Sequence, residues 1–375
     1  MRQMHIRFLI NSLNGGGAEK VLINLIKALI DKGIHCDLLT IDGGVHENEL
    51  PANISYRKII RKDNIFAGFL RRIVYYLPPT LFCRLFMREG HDIEIAYLEG
   101  TPTRMLAALP GESIKIAFVH CDLSITNPTK DFYRTNTECL AEYKCFSKVC
   151  FVSCKAEEGF YKTVGQIKNG ITIHNVIDFS EIIRKAQVPC THEYHTKGMR
   201  LVTVGRLTAQ KAFDRLLRIA KKLESKYEFE LWILGDGELR QEYERYIIEN
   251  EIQSVKLLGY RENPYSFMIQ ADLFVCSSIF EGYSTAATEA TALGLPVLTT
   301  ACAGMDEILD NGKYGIIVEN SEDALQAGLE AVLSNRELYK KLNLVAKERG
   351  TQLRNRDTVQ EYIKLFEEII DGSKD

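Results

Sequence analysis

Two carboxylates separated by seven residues, Glu281 and Glu289, frame the stretch of the chain richest in chemistry. It reads Cys-Ser-Ser-Ile-Phe-Glu-Gly-Tyr-Ser-Thr-Ala-Ala-Thr-Glu from Cys276 to Glu289. An apolar run ends at Cys276, a loop carries Glu281, Gly282 and Tyr283, and Ser284 is placed to cap a helix holding Glu289. The start of such a helix offers free N–H groups and a partial positive charge, which suits phosphate. A carboxylate can accept two hydrogen bonds from vicinal hydroxyls, as on a ribose or a hexose. Glu281 and Glu289 can therefore stand on either side of one molecule that carries phosphate between two sugars, a sugar nucleotide. Two carboxylates near a helix start are also common surface groups. Gly282, the Ser284 cap and the downstream Gly294-Leu295-Pro296-Val297 favour the functional reading.

Other candidates lie at similar junctions. Arg206 and Lys211 follow an apolar run that ends in Gly205, a place where cations suit phosphate better than they suit bare solvent. Gly15-Gly16-Gly17 separates a strand pattern from a helical one, either as a tight turn or to let backbone approach a ligand. It is not Gly-x-Gly-x-x-Gly, so a nicotinamide oxidoreductase lacks its fingerprint. His120 and Glu99 each end a strand pattern; a core imidazole and a helix cap are their plain alternatives. No Asp-x-Asp occurs in the chain, so no metal bridging a diphosphate is expected, and no cofactor either.

The elements that must hold these residues alternate. Residues 7–13 read as a buried strand, a helical pattern follows to Gly33, and 35–41 reads as the next strand. Strands are expected at 93–98, 115–119, 148–152 and 171–174, with a short helix at 103–109. Residues 179–199 lose this rhythm and read as a linker. A second series then begins, with strands at 201–204, 229–234, 255–258, 273–276 and 296–299 and a helix at 213–223. Strand after strand ends in Gly or small polar residues, which marks the ligand-binding edge of an open parallel sheet. A helix at 358–370 ends the pattern. The expected fold is α/β with two parallel-sheet domains, 1–178 and 200–354, and 355–375 returning to the first.

Composition bounds the rest. The 375 residues carry 47 Lys and Arg against 50 Asp and Glu, which is no nucleic-acid signature. The halves differ: residues 1–178 net +3, residues 179–375 net −6. Ten scattered cysteines without a C-x-x-C pair argue against a zinc ribbon or a disulfide scaffold and fit a reducing cytosol. No apolar run is long enough to span a bilayer, and the first ten residues do not read as a secretory signal. Residues 57–90 hold eight cations against two acids, interleaved with Phe66, Phe69, Tyr75, Tyr76, Phe82 and Phe86. That pattern suits either an anionic membrane surface or a solvated helix pair with aromatics in the core. The expected location is the cytoplasm, with peripheral attachment to the inner face of the plasma membrane as its extension.

Taken together, the motifs resemble those of the family 4 glycosyltransferases, retaining enzymes with the GT-B fold of two Rossmann-like domains facing across a cleft. Glu281-x₇-Glu289 resembles the family signature. Gly15-Gly16-Gly17-Ala18-Glu19, Val204-Gly205-Arg206-Leu207 with Lys211, Leu234-Gly235-Asp236-Gly237, Leu258-Gly259-Tyr260 and Gly304-Met305-Asp306-Glu307-Ile308 resemble further family segments, in order. The resemblance runs from about residue 7 to about 350, tighter in the second half, and residues 42–92 match no family segment.

It implies these roles. Arg206 and Lys211 neutralise the departing diphosphate, Glu289 holds the ribose, and Glu281 contacts the transferred sugar. Amides around Tyr283, Ser284 and Thr285 cap the β-phosphate, and Gly259, Tyr260 and Arg261 border the base. Gly16 and Gly17 let the first domain approach the donor. His120 lies near the transferred sugar, and Glu99 is an acceptor-side candidate. Transfer would be metal-independent, with retention by front-face attack guided by the leaving phosphate. The donor is expected to be a UDP-sugar rather than GDP-mannose, and the acceptor a saccharide or polyprenyl-linked saccharide of surface polysaccharide assembly. A GT-B sugar-nucleotide epimerase or a non-catalytic binding partner are the competing readings.

Overall fold

The computed structural model describes residues 4–14, 16–60, 65–87, 90–111, 113–190, 192 and 195–372. The chain forms two compact units, one of Met1–Ile177 with Asp357–Asp375 and the other of Asp178–Arg356.

The first unit is built on a seven-stranded sheet of β1 (His5–Ile10), β2 (His35–Thr40), β3 (Ser55–Lys58), β4 (Ile93–Ala96), β5 (Ile114–Val119), β6 (Lys148–Phe151) and β7 (Gly170–Thr172). Their order is β3-β2-β1-β4-β5-β6-β7, with parallel pairing throughout. Helices cover both faces, so the central strands are apolar nearly without interruption, as in Phe8-Leu9-Ile10 and Ile116-Ala117-Phe118-Val119. Arg7 is the exception. It is buried opposite Glu94 in the β1–β4 register, and its Nε and Nη2 donate to that carboxylate at 2.8 and 2.6 Å.

The second unit repeats the plan with six strands, β8 (Met199–Val204), β9 (Phe229–Leu234), β10 (Val255–Gly259), β11 (Leu273–Cys276), β12 (Val297–Thr300) and β13 (Ile316–Val318). Their order, β10-β9-β8-β11-β12-β13, is again all parallel. In both sheets the order reverses beside the first strand, between β1 and β4 and between β8 and β11. Doubly wound sheets bind ligands outside the carboxyl ends of the strands where the order reverses.

Three segments depart from the sequence expectation. The stretch 179–199 opens with a helix, Phe179–Ala186, capped by the Asp178 carboxylate and packed on the helix Tyr265–Met268. Its apolar face is Phe179, Ile182, Ile183 and Ala186, at helical spacing but only two turns long, with Ile182 and Ala186 buried. Residues 42–92, without a family counterpart, hold edge strand β3 and the helices Ile65–Tyr76 and Pro79–Phe86. The terminal helix is longer than expected, Thr358–Gly372, and puts Tyr362, Ile363, Leu365 and Phe366 into the core of the first unit with Phe8 and Phe118. Each such side chain contributes about 1.5–3 kcal/mol by leaving water.

Candidate functional site

In the second unit the switch point is flanked by the loops after β8 and β11, and these carry Arg206, Lys211 and Glu281. The loops are stitched to each other. Ile279 N–H donates to the Gln210 carbonyl at 2.8 Å, Gln210 Nε2 to the Phe280 carbonyl at 3.0 Å, and Ser277 Oγ to the Lys211 carbonyl at 2.8 Å. Asn320 Nδ2 and Thr300 Oγ1 hold the carbonyls of Ile279 and Ser278 from the β12–β13 side, at 2.6 and 2.7 Å.

Within this frame Lys211 Nζ donates to Glu281 Oε1 at 2.6 Å, and Ser278 Oγ donates to the same oxygen at 2.6 Å. Glu281 Oε2 has no hydrogen bond among the described residues. Burial opposes the Lys211 charge, but the neighbouring Glu281 carboxylate outweighs it and holds the ammonium above its ordinary pKa. The lysine stem lies over Gly205, where a Cβ would stand 3.2 Å from Lys211 Cε. Arg206, one residue beyond Gly205, is exposed, and no hydrogen bond or ion pair holds it among the described residues. A buried ion pair and an exposed guanidinium thus share one strand end.

The helix Thr285–Ala292 begins where expected. Ser284 caps it by accepting the Ala287 N–H at 3.4 Å, and its first turn holds no acidic side chain, so its N-terminal amides keep their positive character. Glu289 is buried on this helix and accepts the Tyr265 hydroxyl at 2.9 Å. Close packing fixes the helix. Gly350 of the helix Arg336–Arg354 has no room for a Cβ, which would stand 2.6 Å from the Thr291 carbonyl, and Arg354 donates to the Ala292 carbonyl. Gly304, at φ +80°, lies against Gly282 and Tyr283, where a side chain would push the Glu281 loop aside. Gly259 ends β10, Tyr260 is 67% exposed, and the Arg261 guanidinium sits 5.4 Å over the Phe267 ring.

The first unit has its own set of strand ends. Gly16 is extended and precedes the helix Gly17–Asp31, so both expected glycines lie at the β1 end of the switch point. Glu99 follows β4 and is buried. Gly100, not Glu99, caps the helix Thr101–Ala107, and the Glu99 carboxylate instead accepts the backbone N–H groups of His120 and Cys121. Burial raises the Glu99 pKa against those hydrogen bonds. His120 packs against Tyr97, ring centroids 4.8 Å apart, and its Nε2 is buried with no partner among the described residues. Burial pulls its pKa down to about 4, so the imidazole is neutral near pH 7.

Sequence reasoning missed Ser278, Gln210, Asn320 and Tyr265 as parts of this arrangement. Ser278 could have been found from the Ser277-Ser278 pair that ends β11. The other three act across 24 to 70 residues and leave no local signal.

Residues 192–349, almost the whole second unit, match the family model described as "Glycosyl transferases group 1". That match lies within the second unit, and over most of its length the chain is similar to glycosyltransferases. It is 26% identical over 357 residues, 91% of this chain and 93% of its relative, to the N-acetylgalactosamine-N,N'-diacetylbacillosaminyl-diphospho-undecaprenol 4-alpha-N-acetylgalactosaminyltransferase of Campylobacter jejuni. It is 24% identical to the lipopolysaccharide core biosynthesis glycosyltransferase LpsE of Rhizobium meliloti, over 87% of this chain and 88% of that one. Among solved structures, Anabaena HepE in complex with UDP and glucose superposes with a TM-score of 0.73, at 19% identity, over 98% of this chain and 99% of that one. The transferase has the GT-B fold.

Proposed function

We propose that this transferase moves a sugar from a UDP-sugar donor, with retention of configuration, onto a lipid-linked saccharide in surface polysaccharide assembly. The observation that carries the proposal is the cationic strand end beside a helix start: Arg206 unpaired, Lys211 fixed by Glu281, and the Ser284-capped helix on the same switch point. Cleaving a glycosyl–phosphate bond places negative charge on the departing oxygen, and fixed cations and amides stabilise it. Arg206 and Lys211 fill that role without a divalent metal. Glu281 meets the transferred sugar through Oε2, its one oxygen not already bonded to Lys211 and Ser278. Glu289 takes the ribose hydroxyls, Gly259, Tyr260 and Arg261 border the base, and the amides around Tyr283, Ser284 and Thr285 cap the β-phosphate. The departing phosphate oxygen receives the acceptor proton. The acceptor class is taken from the names of the Campylobacter and Rhizobium relatives, and the donor nucleotide from the UDP bound to HepE.

None of the described helices is long and apolar enough to cross a membrane. Attachment would fall to the helices Ile65–Tyr76 and Pro79–Phe86, which expose Phe69, Leu70, Ile73, Tyr76, Leu81 and Leu85 beside Arg72 and Arg84. They also bury Val74 and Phe82, so the pair packs on the core with one side and offers the other to a membrane surface in this reading. Arg71 is drawn away to Asp42 at 2.5 Å, and Arg61, Lys62 and Arg88 lie outside the described residues.

Titration calorimetry with UDP tests the donor assignment. UDP should bind the wild type, and Glu289→Ala should weaken it about 10- to 100-fold, the worth of hydrogen bonds to a charged group. Equal affinity in the variant would remove Glu289 from the ribose, and no heat from UDP or UDP-sugars would overturn the donor class.

A further inference from the structure

At the amino ends of the strands, away from Gly16 and His120, the first unit gathers three side chains that transfer does not use. His5 opens β1, Asp37 lies on β2, and His91 sits two residues before β4. Because β1 pairs with both β2 and β4, residues 32 and 54 positions from Asp37 meet at one edge. His5 Nε2 lies 3.1 Å from Asp37 Oδ1, and His91 Nε2 lies 2.9 Å from Asp37 Oδ2. One donor atom from each residue falls within 4.8 Å of the other two.

We infer that His5, Asp37 and His91 form a binding site for a transition-metal dication of the zinc type. Two imidazole nitrogens and one carboxylate oxygen are a donor set suited to such ions rather than to Mg²⁺ or Ca²⁺. Bonds of about 2.0–2.2 Å in tetrahedral array hold ligand atoms roughly 3.3 Å apart. The 3.1 and 2.9 Å distances run to different oxygens of Asp37, so the carboxylate turns to offer one oxygen to both imidazoles, with one donor atom of each residue already inside 4.8 Å of the others.

The surroundings are those of a ligating histidine. His91 Nδ1 faces Glu94 Oε1 at 3.4 Å, and Glu94 is itself held by Arg7 at 2.8 and 2.6 Å. Nδ1 makes no hydrogen bond among the described residues, and a carboxylate at this distance is placed to orient the ring when Nε2 takes an ion. Asp92 Oδ2 accepts the His5 backbone N–H at 3.0 Å and anchors the start of β1. His35 is a further imidazole at this edge, its ring centroid 6.1 Å from that of His5. The site is buried behind and wet in front: the His91 side chain is 6% exposed, those of Asp37 and His5 27% and 39%. Water can complete the coordination from that side. An ion here would clip β1, β2 and the approach to β4 together, a structural role apart from sugar transfer.

Equilibrium dialysis of the full chain against zinc, after chelator treatment, tests this. The wild type should hold one Zn²⁺ per chain and melt at a higher temperature with zinc than without. His5→Gln, at an exposed position, and His91→Gln should each weaken zinc at least about tenfold, abolish the zinc-dependent rise in Tm and leave UDP affinity unchanged. Circular dichroism confirms that each variant is folded. No zinc uptake by the wild type, or equal uptake by both folded variants, would overturn the site. Loss of UDP binding in the wild type would instead count against the donor assignment and leave the metal site standing.

Discussion

At the switch point of the second unit the charged groups are Arg206, exposed and without an ion pair among the described residues, and Lys211, tied to Glu281, with Ser278 on the same oxygen and two loops laced by Gln210, Ser277 and Asn320. At the switch point of the first unit the groups are neutral or spent on backbone: His120 is uncharged, and Glu99 holds amides. The family model matches 192–349, inside the second unit. Under the function proposed above, the difference follows from what each half handles. A diphosphate brings charge that must meet groups already in place, since reorganising dipoles during reaction would cost much of their benefit. A saccharide brings hydroxyls, which neutral groups can satisfy.

This contrast can be broken most directly at the two cations. Arg206→Ala should lower turnover about 100- to 1,000-fold with stability changed by less than about 0.5 kcal/mol, because the guanidinium is exposed and unpaired. Lys211→Ala should lower turnover as far and also cost about 3–5 kcal/mol of stability, since it strands the buried Glu281 carboxylate. Steady-state assays beside urea melts separate the two. Equal stability losses would show that the pair is not a structural part of the site.

A smaller effect is expected on the face of the first unit. Replacing Arg72 and Arg84 by Gln should weaken binding to anionic vesicles by roughly 30-fold, at about 1 kcal/mol per cation. Phe69→Ser should weaken it further by removing an exposed anchor. Unaltered partitioning of the triple variant would refute the membrane face and leave the helix pair as a solvated element.

The smallest effect sharpens the neutral side of the comparison. His120 titrates at about 4 in the folded chain, below the ~6.5 of an unfolded imidazole. As pH falls from 6.5 toward 4, the unfolded chain takes up a proton that the native chain refuses. The stability from His120 is therefore complete above pH 6.5 and declines below it. Glu99, with its raised pKa, acts in the opposite sense, so the test is a difference. Urea midpoints at pH 7 and pH 5 should fall less in His120→Asn than in the wild type. Parallel falls would show that the ring is charged or exposed.

Much of this was legible in the residues. Gly205, Gly235 and Gly259 ended their strands, and Ser284 announced its helix, because caps and turns depend on a few adjacent positions. The helix Phe179–Ala186 carries an apolar stripe at Phe179, Ile182, Ile183 and Ala186, but at eight residues it is two turns long and reads together with the polar stretch that follows it. Residues 57–90 read equally as a membrane face and a core helix pair, and the helices there serve burial on one side while exposing large apolar groups on the other. Glu99 read as a helix cap, but the positive φ of Gly100 turns the chain so that its carboxylate meets the β5 strand end.

The sequence by itself determined the kinds of elements, the edge of each sheet that would carry ligands and the residue types standing there, since each is written within a dozen neighbouring positions. Tertiary structure decided which of them meet. Lys211 finds Glu281 across 70 residues, Tyr265 finds Glu289 across 24, and His5 finds Asp37 across 32. Those meetings depend on which strands lie side by side and in what register. Burial of whole sheet faces chooses that order, and no local pattern of side chains encodes it.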